Sequence, residues 1–161
     1  MGTSRTEKIP VEELATHRHV YVIAKAVKEA MDRAGLSPPE VSLVLVKSPI
    51  LTHLEASKTT NAKVLARAGS SGLSRGAAGL GVALALGEIK ENFIKKINIG
   101  LDFNYYSSRA MCFSGTEVNF GEILILGNRP GVRNRFKIFS KTMDDILDAR
   151  SLRELFKETG C

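Results

Sequence analysis

The chain has 161 residues, 43% hydrophobic and 25% charged, a composition that suits one folded domain with a real core. No stretch approaches the about 20 apolar residues of a membrane-spanning helix, and the N-terminal MGTSRTEKIPVEE lacks the apolar core of a signal peptide, so no membrane partner is expected. The net charge is +6, but the cations are scattered, aromatics make up 6% and tryptophan is absent; this pattern excludes a recognisable nucleic-acid motif and suits a site for an anionic or carbonyl-rich small molecule.

Residues 1–10 are polar and read as an N-terminal extension, with Pro10 suited to a first helical turn. From Val11 to Ala34 the pattern is helical: Tyr21, Ile23, Ala24, Val27, Ala30, Met31 and Ala34 recur at steps of three and four. Gly35 follows as a C-cap, and Ser37-Pro38-Pro39 stops the helix. His17 and His19 are two apart, a spacing that does not place a metal pair on one helical face, so both are expected at the surface. Val41–Val46 is a compact strand ending at Lys47-Ser48-Pro49. Lys47 either snorkels to water or sits in a cleft as a base; position alone leaves both open.

Residues 57–61 suggest a loop and 61–68 a short helix; His53 has no evident partner. Gly69-Ser70-Ser71-Gly72 is a flexible loop, after which Ser74 is expected to cap a helix buried nearly all round, with Leu73, Ala77, Leu80 and Leu84 on one stripe. The glycine-rich entry lacks the spacing of a P-loop or of GxGxxG, so no nucleotide cofactor is expected. Arg75 at the helix start could hold a carbonyl or an anion. Glu88–Ile99 is expected to finish this helix, and Leu101–Phe113 has β-type aromatics. Ile123–Leu126 is a buried strand, stopped by Gly127-Asn128. A basic turn is expected over 129–135, a strand over Phe136–Ser140 and an amphipathic helix over Met143–Lys157, its N-terminus favoured by Asp144-Asp145. Cys112 lies in an apolar run and reads as a core residue; Cys161, the last residue, is expected to be mobile, and this usage suits a reducing cytoplasm. The element order predicts an α+β two-layer sandwich over 11–160, with one mostly antiparallel or mixed four-stranded sheet and helices on one face.

Between two apolar runs lies Ser114-Gly115-Thr116-Glu117, which alone reads as a tight turn or as a small polar motif placed for chemistry. Three stretches taken together are more specific. VKSPILT (46–52), GLSRGAAGLGVALALGEI (72–89) and SRAMCFSGTEVNFGEILILGN (108–128) resemble the ring-opening amidohydrolases, the cyanuric acid hydrolase and barbiturase family. Members of that family have three similar domains around a pseudo-threefold axis, with the substrate on the axis and a lysine, an arginine and a serine from each domain. This chain is most similar to the middle domain.

The resemblance implies that Lys47 deprotonates Ser114, whose Oγ attacks a ring carbonyl, while Arg75 holds a carbonyl oxygen. Gly115 would lie beside the substrate, and Ser74 would assist or simply cap its helix. It implies no metal and no cofactor in this domain. The fold is also similar to the homotrimeric Rid-type deaminases, so three copies of this chain could surround a cyclic imide or ureide such as cyanuric acid or barbiturate. The competing expectations are a partner-dependent domain, split or isolated, and a small-molecule binding protein without turnover.

Overall fold

A computed structural model describes residues 1–132 and 136–159. Its centre is one mixed four-stranded sheet, built from β1 (Gly2–Lys8), β2 (Val41–Pro49), β3 (Ala110–Gly115) and β4 (Phe120–Gly127) in the order β1-β4-β2-β3. β4 is antiparallel to both β1 and β2, while β2 and β3 are parallel. A parallel neighbour needs a long crossover. Here it carries α2 (His53–Ala56), α3 (Ala62–Leu65), α4 (Ser71–Ala85) and α5 (Glu91–Ile94).

One face of the sheet is covered by α4 and by α1 (His17–Ala34). Ile23, Val27 and Met31 of α1, Val44 and Val46 of β2, Ile123 and Ile125 of β4, and Ala78 and Val82 of α4 form a continuous buried cluster. The two helices touch closely at Gly81, where a Cβ would lie 2.8 Å from both Ile23 and the Val20 carbonyl oxygen. Leu45, Lys47, Glu122, Leu124, Met111 and Phe113 alternate with the core residues and point to the opposite, uncovered face. The α+β sandwich with a mixed four-stranded sheet is therefore as expected.

Several boundaries differ from the expectation. Residues 2–8 are not an extension: they form the edge strand β1, whose Ser4 hydroxyl donates to the Ala26 carbonyl of α1 at 2.6 Å. Pro10 opens a turn, and α1 begins six residues later than Val11, capped by Thr16, whose Oγ1 accepts from the Arg18 N–H. Gly35 does cap its C-terminus, in the left-handed conformation. Ser70, not Ser74, caps α4, accepting from the Leu73 N–H. α4 ends at Ala85 because Gly87 turns left-handed (φ +74), so 88–99 does not continue it.

The aromatic stretch from Leu101 does not extend as a strand. Asp102 accepts from the Asn104 N–H and Ser107 from the Arg109 N–H, turn bonds that keep the chain out of the ladder until Ala110. Phe136–Ser140 is not a strand either. The Asn128 side chain bonds both the N–H and the carbonyl of Ile138, replacing a neighbouring strand. The last helix, α6 (Ala149–Thr159), starts later than Met143 because Asp148, not Asp144-Asp145, accepts from the Ser151 N–H at its first turn. The Ser151 hydroxyl and N–H, joined by the Asp144 N–H, hold the Asp148 carboxyl down at about 2. Part of the basic turn expected over 129–135, and Cys161, lie outside the described residues.

Candidate active site

Strand alternation decides where the expected site residues point. In the parallel β2/β3 pair, Lys47 is level with Phe113 and Ser48 with Ser114. Level residues of a parallel pair share a face, and successive residues alternate. Lys47 and Phe113 thus lie on the uncovered face, Ser48 and Ser114 on the helix-covered face. The structure does not bring Lys47 and Ser114 together.

The Lys47 ammonium is instead paired with the Glu117 carboxylate. The lysine side chain is 32% exposed, so it neither snorkels fully into water nor stands in a dry pocket. The bonded ammonium holds the Glu117 carboxyl below its usual value. Gly115 lies under this contact: a side chain there would collide with the Glu117 carboxylate. Around Lys47 the uncovered face forms an open cleft of about 470 Å³, lined by Arg5, Leu45, Phe113, Glu122 and Leu124. Arg5 and Glu122 close its other side as an ion pair at 2.6 Å.

Ser114 is half-buried, and its hydroxyl donates to the Ser71 carbonyl at 3.4 Å, against the first turn of α4. Arg75, one turn further along α4, is exposed and borders a second cleft of about 540 Å³ with Phe103, Tyr105, Tyr106 and Cys112. Burial pushes the Cys112 thiol up to about 12, with Arg75 opposing only in part, so Cys112 is no thiolate nucleophile at neutral pH. Among the described residues no group of three or more His, Cys, Asp or Glu side chains is arranged to hold a metal.

Ser74, expected at the substrate or as a cap, is buried, and its hydroxyl donates to the Pro49 carbonyl at 2.6 Å. Its Oγ lies 3.0 Å from Ser48 Oγ, which lies 3.0 Å from His19 Nε2. The expectation of a surface histidine fails for His19, which is fully buried; His17 is half-buried and its Nε2 bonds the Ile97 carbonyl. Burial pushes His19 down to about 4, so the ring is neutral at pH 7. The signals for both missed residues were present. His19 precedes Ile23 by four residues, on the apolar stripe, and Ser48 follows Val44 and Val46 at steps of two.

Comparison with known proteins identifies the family of the chain. The model of the amidohydrolase ring-opening protein family matches residues 1–161. A cyanuric acid amidohydrolase of Azorhizobium caulinodans is 36% identical over 99% of the chain and 46% of its own length. Barbiturase 1 of a Nocardioides species is 34% identical over 99% of the chain and 44% of its own length. The crystal structure of the cyanuric acid hydrolase from A. caulinodans superposes with a TM-score of 0.85 at 33% identity, covering 99% of this chain and 47% of that one. A cyanuric acid hydrolase described as an innovation by structural concatenation gives 0.88 at 28% identity, covering 99% of this chain and 45% of that one. The chain spans under half the length of the relatives it matches.

Proposed function

Because the chain belongs to the ring-opening amidohydrolase family, we propose that it serves the hydrolytic opening of a cyclic imide or ureide, such as cyanuric acid or barbiturate, as one domain of a site that further domains or copies complete. The observation that carries this reading is the match along the whole chain to less than half of each relative. The uncovered sheet face, with Leu45, Leu124, Met111 and Phe113, supports it as a surface for such association. Association would take the form of a homotrimer, as in Rid-type proteins, or of companion domains.

In the assembled site Ser114 Oγ attacks a ring carbonyl, a lysine takes its proton, Arg75 stabilises the oxyanion, and the ring C–N bond breaks as the lysine returns that proton to the departing ring nitrogen, leaving Ser114 acylated. Gly115 lets the substrate approach the backbone. Water then hydrolyses the acyl-enzyme. Within one chain, however, the residue level with Lys47 is Phe113, which has no nucleophilic atom, and Lys47 is held by Glu117. This favours a second reading for the isolated polypeptide: a domain that binds or associates but does not turn over alone.

The test is ring opening of cyanuric acid and of barbiturate by the purified chain, assayed beside its mass in light scattering. A monomer with activity would remove the need for assembly. In an active assembly, Ser114→Ala and Lys47→Ala each abolish turnover; survival of either variant removes that residue from the dyad.

A further inference from the structure

The buried histidine has one hydrogen-bonding solution. The Ala15 N–H donates to His19 Nδ1 at 3.1 Å, so that nitrogen carries no proton. The neutral ring is therefore protonated at Nε2, which donates to Ser48 Oγ. Ser74 spends its proton on the Pro49 carbonyl, so its oxygen accepts from Ser48. The chain Ala15 N–H, His19, Ser48, Ser74 and Pro49 carbonyl runs in one direction, and its three side chains are almost fully buried. Ala15 itself takes a left-handed backbone (φ +56), rare for a residue with a side chain, and this turn aims its N–H at the ring.

The chain ties three elements at one end of the sheet. His19 belongs to α1, Ser48 to the end of β2 and Ser74 to the first turns of α4. Ser48 directly follows Lys47, and Ser74 directly precedes Arg75. Ser48 is also level with Ser114. We infer that His19 is a positioning residue: through Ser48 and Ser74 it fixes the backbone that presents Lys47 and Arg75. Given the roles proposed above for these two cations, on which this rests, His19 would set their spacing without touching substrate. A buried, fully satisfied polar network of this kind specifies one arrangement where a purely apolar contact would tolerate sliding.

The test has two arms on the full chain. Nitrogen NMR of the imidazole is expected to report the neutral Nε2–H form, and an Nδ1–H form overturns the directed chain. Amide hydrogen exchange then compares wild type, His19→Phe and His19→Gln under conditions where all three are folded. In His19→Phe, protection at Ile50 and at Ser74–Gly76 is expected to drop about ten-fold more than at Ile123 and Ile125, while His19→Gln, which keeps a donor for Ser48, restores most of it. A uniform drop across the sheet would make His19 an ordinary core residue and overturn the inference. Ser48→Ala supplies the same comparison if His19→Phe does not fold. Loss of the proposed chemistry would be seen separately, as turnover that survives Lys47→Ala or Arg75→Ala in the assembled enzyme.

Discussion

Residues 44–48 serve two faces of the same strand, and the faces differ in almost every physical respect. On the covered face, Val44, Val46 and Ser48 are fully buried, and the Ser48 hydroxyl is bonded on both sides. On the uncovered face, Leu45 and Lys47 are half-exposed beside Phe113 and Leu124, and the charges pair across open surface. The covered face is finished within one chain. The other has apolar groups and ion pairs but no second layer. One residue of register separates the two environments, which is why a lysine and a serine from matching motifs end on opposite sides.

The largest expected difference sits on adjacent residues of β4. Ile125→Ala removes a fully buried side chain from the cluster under α1 and should lower stability by about 2–5 kcal/mol in urea titrations. Leu124→Ala, on the uncovered face, should cost under about 1 kcal/mol in the monomer. If association covers that face, the cost of Leu124→Ala rises with protein concentration while that of Ile125→Ala does not.

Acid should act on the covered face next. Folded His19 titrates at about 4, against an ordinary value of 6.5. Between these values the unfolded chain binds more protons, so the histidine's contribution is complete above 6.5 and is lost as pH falls to 4. The depression corresponds to about 3 kcal/mol. Urea midpoints from pH 7 to pH 4 should fall more steeply for wild type than for His19→Gln, and equal slopes would place the acid-labile group elsewhere. Gly81→Ala comes third. The added methyl meets the Val20 carbonyl across the α1–α4 contact, and forcing the helices apart should cost about 1–3 kcal/mol by the same titration.

These contrasts also mark how far the sequence could be read. β2 and β4 were legible because their apolar runs are continuous, and the end of α1 because Gly35 follows the last periodic residue. β1 was not: GTSRTEK is polar, and it pairs only because Gly2 and Ser4 are small enough to lie under α1. The identity of Lys47, Arg75 and Ser114 came from motifs. Their orientation depends on a pairing between strands sixty residues apart, which no local spacing encodes. The buried hydroxyl chain stayed hidden for a related reason. Serine and histidine read as polar in sequence, and only the meeting of α1, β2 and α4 supplies each with a partner.

The smallest stability effect is expected where the uncovered face is best paired. Glu117 is 61% exposed and Lys47 32%, so water and salt screen their attraction, and two long side chains lose freedom to make it. Glu117→Gln should leave the urea midpoint unchanged within error, although the ion pair is the closest polar contact Lys47 makes. What should change is access. With the carboxylate gone, Lys47 becomes easier to reach, and amine-directed labelling followed by peptide mapping should show faster modification at Lys47 than in wild type, with Lys25 as an internal control. Unchanged labelling would mean that Glu117 does not hold the lysine, and that the uncovered face is already open to whatever completes it.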